Sequence, residues 1–516
     1  MLNEKDQATL ENEVLEILEQ MGHSLHLGMI RRFAFVLSKI AKRIYGKVLV
    51  NKSGVDKIKE VVPETPILYL PTHRSYADFL LISYLAFHFD LPLPVIAAGM
   101  DFMSMAVVGD MLRGAGAFFI RRSFVDDVLY WAIFQEYVQI LIKEDLSPME
   151  FFLEGTRSRS GKSLPPKLGL LGCVTECWLR GSIPDLIVVP LTISYNRTLE
   201  EKLYAYELLG VPKPKESTSG LLKATSILKE DYGDIYINIG DPISIRKYLE
   251  PKVDRHLFTS KPLHLSPLTK QELCECESLG LHVLRKLQKG AVISVWSLSC
   301  ISFMQSLWKE CWAMPFLQLE KEVEWLVYLV DKLGAVVSIE NSASETLKRN
   351  LNIHCLVASE NDKGNVVVHK IHNTNPNQSK CVDYVGLNER TVEKAVSHLL
   401  LQHYINQAIH IFVRPALVTL SLLSLFGSTN TVFLDDLQER FYFLRKIFSN
   451  EFVFEKEQES QDFMDGLAVV TWSGETGLVQ NKIHYVRPNK PILECFLSII
   501  RPFILTYHSC ATVAVS

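Results

Sequence analysis

Short apolar runs alternate with helical stretches between residues 67 and 194, and this alternation restricts the fold more than any other feature of the chain. Such a pattern is typical of a mostly parallel sheet with helices on both faces, because parallel strands need long crossover connections. We therefore predict an α/β fold. The predicted strands are 67–70, 94–98, 117–120, 149–153, 186–194 and 234–239, and the predicted helices between them are 78–89, 126–144 and 167–180.

The chain has 516 residues, more than one compact core usually holds, so we expect several domains. Residues 7–46 have helical spacing, and their second half forms a basic amphipathic helix. Such a helix either lies on a membrane surface or packs on the next domain with its basic face in water. The predicted domains are an N-terminal amphipathic helical segment (1–50), an α/β domain (51–270) and a mainly helical C-terminal domain (271–516) with a hairpin near 353–385.

Composition excludes several classes of protein. The net charge is only -4, so no global field attracts nucleic acid, and we expect no nucleic-acid partner. The 10 cysteines form no disulfide framework or zinc-finger spacing, which predicts reduced thiols and no metal. The N-terminus is polar rather than a secretory signal. No uninterrupted apolar run reaches about 18 residues. Peripheral contact with a membrane surface is therefore expected rather than a spanning helix; the best apolar stretches, 292–308 and 409–426, are both broken.

His73 lies two residues after Pro71, between a predicted strand and a predicted helix. Catalytic side chains in open α/β sheets collect at such carboxyl ends of strands. Asp78 follows five residues later and meets His73 only if His73 stays on the loop and folds back, because five helical positions diverge by about 140°. The carboxylate would then hold one ring nitrogen protonated and leave the other as a base. In the local alternative, Ser75 is the helix N-cap and Asp78 its capping-box partner.

Four arginines lie shortly after predicted strands. Such side chains meet either solvent or an anion, because burying an isolated charge is costly. In a chain of near-neutral charge this local surplus suits a phosphate, which the planar guanidinium binds through paired hydrogen bonds. Solvated basic loops are the alternative. The four are Arg121 and Arg122 after strand 117–120, and Arg157 and Arg159 after strand 149–153.

Three further residues accompany these arginines. Gly155 carries no side chain where backbone must approach a ligand. Glu154 either fixes an arginine or accepts a hydrogen bond from a substrate hydroxyl. Pro190 interrupts strand 186–194, so we expect it at a strand end or a sheet edge, where it either shapes a pocket or only ends the strand. The chain has no G-x-S-x-G elbow and no glycine-rich nucleotide loop, so no other constellation competes.

Four segments resemble the sequence blocks of the glycerolipid (glycerol-phosphate) acyltransferase family. They stand here as HRSYAD (73–78), GAFFIRR (116–122), FLEGTRSR (152–159) and VVPL (188–191). The stretches FVRPAL (412–417) and FYFLR (441–445) resemble the large subgroup that uses glycerol 3-phosphate or dihydroxyacetone phosphate. The likeness is greatest to the animal members that use dihydroxyacetone phosphate, and it runs from residue 1 to about 507.

The resemblance implies an acyltransferase catalytic domain at 51–270. The implied reaction moves a long-chain acyl group from acyl-CoA to the hydroxyl of dihydroxyacetone phosphate and gives 1-acylglycerone 3-phosphate, the first step of ether lipid and plasmalogen synthesis. His73 is the implied general base and Asp78 its partner. No metal or other cofactor is implied, since acyl-CoA is a substrate. The implied substrate-binding residues are Ser75, Gly116, Arg121, Arg122, Glu154, Gly155, Arg157, Arg159 and Pro190.

The resemblance also implies a location and a partner, namely the lumenal face of the peroxisomal membrane and alkylglycerone-phosphate synthase. Residues 508–516 are unlike the family's longer C-terminus, and Ala-Val-Ser is a poor peroxisomal signal, so we expect a truncated form, an alternatively spliced form or an imperfectly assigned gene. Three alternatives stay open. They are the same transfer to glycerol 3-phosphate, an inactive form that only binds a membrane or partner, and a hydrolase that uses the base on water.

Overall fold

The computed structural model describes residues 4–61, 65–104, 106–122, 127–144, 147–211, 230–255, 268–370, 388–425, 431–472, 476–479, 482–485 and 490–515. The chain forms two compact units. Unit 1 comprises residues 1–157, 166–193 and 214–290, and unit 2 comprises residues 158–165, 194–213 and 291–516. The linear domain boundaries at residues 50 and 270 stay a prediction.

Sixteen strands lie in the described part of the chain. They are β1 (Val48–Val50), β2 (Ile67–Pro71), β3 (Val95–Gly99), β4 (Ala117–Ile120), β5 (Met149–Glu150), β6 (Ile187–Tyr195), β7 (Ile235–Ile239), β8 (Ile243–Ser244), β9 (Val292–Ser294), β10 (Ala313–Pro315), β11 (Val336–Ser338), β12 (Ala358–Glu360), β13 (Asn365–Val368), β14 (Thr431–Phe433), β15 (Thr476–Val479) and β16 (Lys482–Tyr485).

Seventeen α-helices occur in the same described residues. They are α1 (Glu4–Met21), α2 (Leu27–Ile44), α3 (Lys52–Val61), α4 (Asp78–His88), α5 (Ala106–Gly114), α6 (Val128–Glu144), α7 (Leu168–Leu179), α8 (Glu201–Leu208), α9 (Ile245–Leu249), α10 (Lys270–Lys289), α11 (Val295–Leu307), α12 (Phe316–Lys332), α13 (Ala343–Ile353), α14 (Glu389–Leu425), α15 (Leu434–Ile447), α16 (Glu459–Trp472) and α17 (Lys490–Val515).

A mostly parallel sheet forms the centre of unit 1. Its strand order is β1-β7-β6-β2-β5-β3-β4, and β8 pairs with β6 in antiparallel orientation. The pairs β1–β7, β2–β6, β2–β5, β3–β5 and β3–β4 are parallel. Every residue of β2 is buried, as expected for a strand with helices on both faces. The α/β prediction is confirmed, and the order places the carboxyl ends of β2 and β5 side by side.

The N-terminal stretch predicted at 7–46 is two helices in unit 1, α1 and α2, with a break at residues 22–26. Arg113 stabilises this break, because its guanidinium donates to the carbonyl oxygens of Glu19 at 2.8 Å, Gln20 at 3.0 Å and Gly22 at 2.5 Å. These are carbonyl groups of the kind left unpaired at the end of a helix.

Unit 2 is mainly helical, as predicted, and its core surrounds the long helix α14. The hairpin expected near 353–385 is β12 and β13, which pair in antiparallel orientation. Residues 371–387 of that range lie outside the described residues.

Among the described residues, two helical stretches are long and apolar enough to cross a membrane by length and composition alone. In Arg390–Leu425, 67% of the apolar window is buried inside the protein, as in the core helix of a globular unit; in Ile492–Ala514, only 17% is buried. Glu494 and Arg501 interrupt the apolar run of the second stretch.

Candidate active site

His73 and Asp78 are in contact at the carboxyl end of β2. The His73 Nδ1 lies 3.0 Å from Asp78 Oδ2. His73 stays on the loop after the strand and Asp78 is the first residue of α4, so the chain folds back as the sequence required. With Nδ1–H donating to the carboxylate, the lone pair of the ring belongs to Nε2, which is the arrangement of a general base.

The local role expected for Asp78 is present as well. Its Oδ2 accepts the backbone N–H of Arg74 at 2.7 Å and of Ser75 at 2.9 Å. The prediction that Ser75 is the N-cap is wrong, because residues 74–77 form a separate turn and Ala77 occupies the N-cap position of α4. The Ser75 hydroxyl instead accepts the Ala77 N–H at 3.2 Å, and the residue is fully buried.

The His73 ring is held by stacking. The Phe152 ring lies parallel to it, with 3.7 Å between the ring centroids and 10° between the planes. The His73 side chain is only 15% exposed. Burial lowers its pKa below the ordinary value of 6.5, although the hydrogen bond and charge of Asp78 act in the opposite direction. The ring is therefore neutral at pH 7 and able to accept a proton.

Arg74 and Glu154 form a buried ion pair beside this base. The Arg74 Nη1 donates to Glu154 Oε1 at 2.9 Å, to Oε2 at 3.1 Å, and to the His73 carbonyl oxygen at 3.0 Å. Glu154 is 1% exposed, so its charge requires such a partner. This contact realises one of the two roles expected for Glu154, that of fixing an arginine. Sequence reasoning did not select Arg74, although a buried Glu154 demands a cation near it.

Arg157 lies against an aromatic ring. Its guanidinium carbon is 3.4 Å from the centroid of the Tyr76 ring, and the side chain is 7% exposed. A planar guanidinium stacks readily on an aromatic face. The positive charge of Arg157 contributes to the lowered pKa of His73, so the charge lies within electrostatic reach of the base.

Gly155 has a positive φ of 67°, a conformation that a residue with a Cβ adopts only with strain. A Cβ at this position would lie 2.7 Å from Cγ of Lys167. Among the described residues, the Lys167 side chain is the group that approaches Gly155 closely because the glycine has no Cβ. The role of Gly155 in substrate binding stays a prediction.

Arg121 and Arg122 follow β4, the edge strand, and β3 separates β4 from β5. Arg121 Nη1 pairs with Asp127 at 3.0 Å, and its guanidinium lies 4.4 Å from the Tyr130 ring centroid. Arg122 pairs with Asp101 and is 70% exposed. Each arginine thus has an acidic neighbour, and their contact with a substrate stays a prediction.

Gly116 precedes β4, at the amino end of that strand. Its φ is 101°, and a Cβ there would lie 3.0 Å from the Pro94 carbonyl oxygen. The backbone conformation of the turn and the nearby carbonyl group are sufficient to explain why a glycine occupies this position. A role in substrate binding for Gly116 remains untested.

Pro190 and Arg159 complete the predicted set. Pro190 was expected at a strand end or an edge, and this prediction is wrong: it lies inside β6, with its Cα paired to Leu70 of β2. The Pro190 carbonyl accepts the Gly240 N–H at 2.8 Å, so the position that lacks an N–H faces β7 and leaves the pairing with β2 intact. Arg159 belongs to unit 2, where it pairs with Glu207.

Glu150 lies at the end of β5 and was not selected by sequence reasoning. It is fully buried, and neither carboxyl oxygen has a hydrogen-bond partner among the described residues. Its register partner Tyr69 on β2 is also buried, with an unpartnered hydroxyl in that same set. Burial, with the charge of Asp78, raises the pKa of Glu150 well above its usual range and favours the neutral acid. The sequence did offer a signal for this residue, namely a single Glu within an apolar run.

Among the described residues, no group of three or more His, Cys, Asp and Glu side chains is placed to hold a metal ion. The candidate site thus consists of the base His73, a buried ion pair and a stacked arginine. Together they can remove a proton from a hydroxyl and hold an anion beside it.

Comparison with known proteins identifies the family of the chain. Residues 50–194 match the family model "Acyltransferase" and residues 204–516 match "Glycerol-3-phosphate acyltransferase C-terminal region". Over 502 residues, the chain is 39% identical to the dihydroxyacetone phosphate acyltransferase of Oryctolagus cuniculus, covering 96% of this chain and 71% of that protein. The Homo sapiens protein of that name is 38% identical, with 97% and 71% covered.

A bacterial protein is similar over a shorter part of the chain. The glycerol-3-phosphate acyltransferase of Pseudomonas entomophila strain L48 is 40% identical over 311 residues, which cover 57% of this chain and 36% of that protein. The family resemblance read from the four sequence blocks is thereby confirmed. The chain belongs to the glycerolipid acyltransferase family and is an O-acyltransferase.

Proposed function

We propose that the chain transfers a long-chain acyl group from acyl-CoA to the hydroxyl of dihydroxyacetone phosphate, giving 1-acylglycerone 3-phosphate. The observation that carries the proposal is the His73–Asp78 pair, in which Nδ1 is held by the carboxylate and Nε2 keeps the lone pair. Support for the acceptor comes from the names of the relatives that match nearly the whole chain.

In the proposed mechanism, His73 Nε2 takes the proton of the acceptor hydroxyl as its oxygen attacks the thioester carbonyl. The tetrahedral intermediate then collapses, the C–S bond breaks, and the imidazolium returns the proton to the departing CoA thiolate. Asp78 keeps the ring in the correct tautomer and stabilises its protonated form. Phe152 limits rotation of the ring, so the base is held in one orientation.

Within this proposal Arg157 binds the acceptor phosphate. It is the predicted arginine whose charge acts on His73, which matches a phosphate one short carbon chain away from the reacting hydroxyl. Arg157→Ala should raise the acceptor KM by at least about tenfold, because a charge-assisted hydrogen bond contributes about 1.5–3 kcal/mol. Arg122→Ala is the matched control. A larger KM effect from Arg122→Ala than from Arg157→Ala would move the phosphate site to β4.

Glycerol 3-phosphate is the second candidate acceptor, favoured by the bacterial relative and by the name of the C-terminal family model. The deciding experiment is acyl transfer from radiolabelled palmitoyl-CoA by the purified chain, with the two acceptors in parallel reactions. A higher kcat/KM with dihydroxyacetone phosphate supports the proposal, and a higher value with glycerol 3-phosphate replaces it. Release of free fatty acid without any acceptor would indicate a hydrolase.

Ether lipid synthesis, the lumenal face of the peroxisomal membrane and assembly with alkylglycerone-phosphate synthase stay predictions that depend on this acceptor. The inactive form considered from the sequence predicts no turnover with either acceptor from folded protein. The intact pairing of His73 with Asp78 argues against that form.

A further inference from the structure

Helix α2 has one face in the core of unit 1 and the opposite face exposed. Ile30, Ala34 and Ile44 are the buried residues of the helix. Two adjacent large apolar side chains lie on the exposed part of the helix: Phe35 is 65% exposed and Val36 51%. Apolar residues scattered singly over a surface need no explanation, but these two are neighbours on the solvent-facing side of one helix.

Cations are interleaved with these apolar side chains. Five basic residues of α2 are exposed, and the helix contains no Asp or Glu. The net charge of the whole chain is -4, so this local surplus runs against the global balance. A solvated helix in a near-neutral protein ordinarily carries charges of both signs. The basic residues are Arg31, Arg32, Lys39, Lys42 and Arg43.

A groove adjoins this face, between α2 and the second half of α4. One cavity of about 390 Å³ is lined by Arg31 and Phe35 of α2 and by Phe87 and His88 of α4. A second cavity of about 510 Å³ continues past His88 to Lys42 and Lys47. The described residues that line the two cavities include no acid, and apolar side chains alternate with the basic ones.

We propose that the exposed face of α2 and the adjoining groove, here called the α2 surface, dock on an anionic lipid bilayer. Charge complementarity selects this occupant: the basic residues would meet phosphate or carboxylate headgroups while Phe35 and Val36 enter the interface between headgroups and acyl chains. The groove offers an apolar floor with basic rims to an acyl chain near the surface. The inference goes beyond the proposed function, because it assigns the lipid-facing surface and the charge of the lipid.

The test is flotation of the full chain with phosphatidylcholine vesicles, with and without phosphatidylserine. We expect binding to the anionic vesicles only, weakened in high salt as screening shortens the reach of the charges. The variant R32E/K39E should lower the bound fraction at least about tenfold, since each basic residue near such a surface contributes a factor of about five. Lys59→Glu, an exposed charge reversal on α3, is the matched control and should bind like the original chain.

The apolar half of the α2 surface has its own variant. F35S/V36S should also lower binding to anionic vesicles, whereas Val128→Ser, which removes a 79% exposed valine from α6, should not. Equal binding to neutral and anionic vesicles, or equal binding by R32E/K39E and Lys59→Glu, would overturn the proposal. Full competition by soluble glycerophosphoserine would also overturn it, because a free anion rather than a bilayer would then occupy the groove.

Two further measurements on R32E/K39E distinguish lipid binding from self-association and from a loss of enzyme activity. If R32E/K39E converts a lipid-free dimer into a monomer in light scattering, the α2 surface is a contact between copies of this chain and the proposal is wrong. Turnover of a short-chain acyl-CoA without vesicles should be unchanged in R32E/K39E. If the original chain itself shows no turnover of this substrate, the result counts against the proposed function and not against the lipid surface.

Discussion

His73 is restrained by a carboxylate on one edge and an aromatic ring on one face, and each restraint has a measurable consequence. Replacing it with Ala should lower kcat/KM by about 10²–10⁴, the usual worth of a general base. His282→Ala, on α10, is the matched control. Wild-type activity in the His73→Ala protein would show that another group takes the proton.

The pH dependence of kcat/KM follows from the lowered pKa of His73. The base must be neutral, so activity is retained down to pH 6.5 and is lost only below it, as the ring becomes protonated. Asp78→Asn removes the interactions that raise this pKa. It should therefore move the acid limb to still lower pH, and it should also lower kcat because the ring tautomer is no longer fixed. An acid limb above pH 6.5 in the original chain contradicts this assignment.

Glu150 gives a prediction about stability. Its pKa is raised in the folded state, so the unfolded chain releases the proton at lower pH than the folded chain does. The folded state therefore loses stability as pH rises from the usual pKa of a glutamate toward the raised value, by about 1.4 kcal/mol for each pKa unit of the shift. Glu150→Gln keeps the neutral shape and removes this loss.

We expect the Tm of Glu150→Gln to exceed that of the original chain by an amount that grows as pH rises above the usual pKa of a glutamate. Glu144→Gln, at the C-terminus of α6, is the control. A Tm difference that is constant with pH would mean that Glu150 is ionised in the folded protein, with a partner that this structure does not contain.

The short loop after β5 depends on one residue, Gly155. Ala at this position would need both a positive φ, which costs about 1–2 kcal/mol, and displacement of the Lys167 stem. Gly334→Ala is the matched control, because its φ is 75° but a Cβ there meets no atom within 4 Å. Gly155→Ala should lower Tm more than Gly334→Ala does, and it should lower activity because Glu154 precedes it. Equal effects of the two substitutions would mean that Lys167 moves freely.

The bounds of strands and helices could be predicted from the sequence where the spacing of apolar residues was uniform. Strand 117–120 was placed on its observed bounds, because four apolar residues end directly at Arg121. Strand 149–153 was too long, since the chain leaves the sheet after Glu150 and turns at Phe152–Gly155, which hydrophobicity does not record. Pro190 was misplaced because a missing N–H prevents only one bond on one side of a strand.

The site followed from the sequence only where its residues are near in the chain. The contact of His73 with Asp78 was predictable because a loop and a helix start fix five consecutive residues. The pairing of Arg74 with Glu154 spans 80 positions and depends on β2 lying beside β5, an order that no local pattern specifies. The stacking of Arg157 on Tyr76 crosses between the same two blocks.

At the scale of the molecule, unit 1 contains the candidate active site. Unit 2 has a core of its own, which includes a buried network of ion pairs. Arg414 and Arg445 both contact the Asp462 carboxylate, which is 1% exposed. Sequence blocks 412–417 and 441–445, which carried part of the family resemblance, are thus joined through one acid on α16.

Asp462→Asn should destabilise the protein by about 3–5 kcal/mol, because it leaves two buried arginines without their shared counter-charge. Asp465→Asn, exposed on the same helix, is the matched control and should change stability by less than about 0.5 kcal/mol. Denaturant unfolding monitored by circular dichroism measures both. Similar stability of the two variants would show that solvent reaches the arginines.

Asp78 is the first residue of α4, and its Oδ2 atom accepts hydrogen bonds from the His73 ring and from two backbone N–H groups of the turn that precedes the helix. Fraying of the first turn of α4 therefore disassembles the reacting groups while the rest of the sheet stays folded. Enzyme activity then reports on a local opening whose free energy is smaller than that of global unfolding. On heating, inactivation should precede loss of the circular dichroism signal, and a ligand that rests on His73 should bring the two temperatures together.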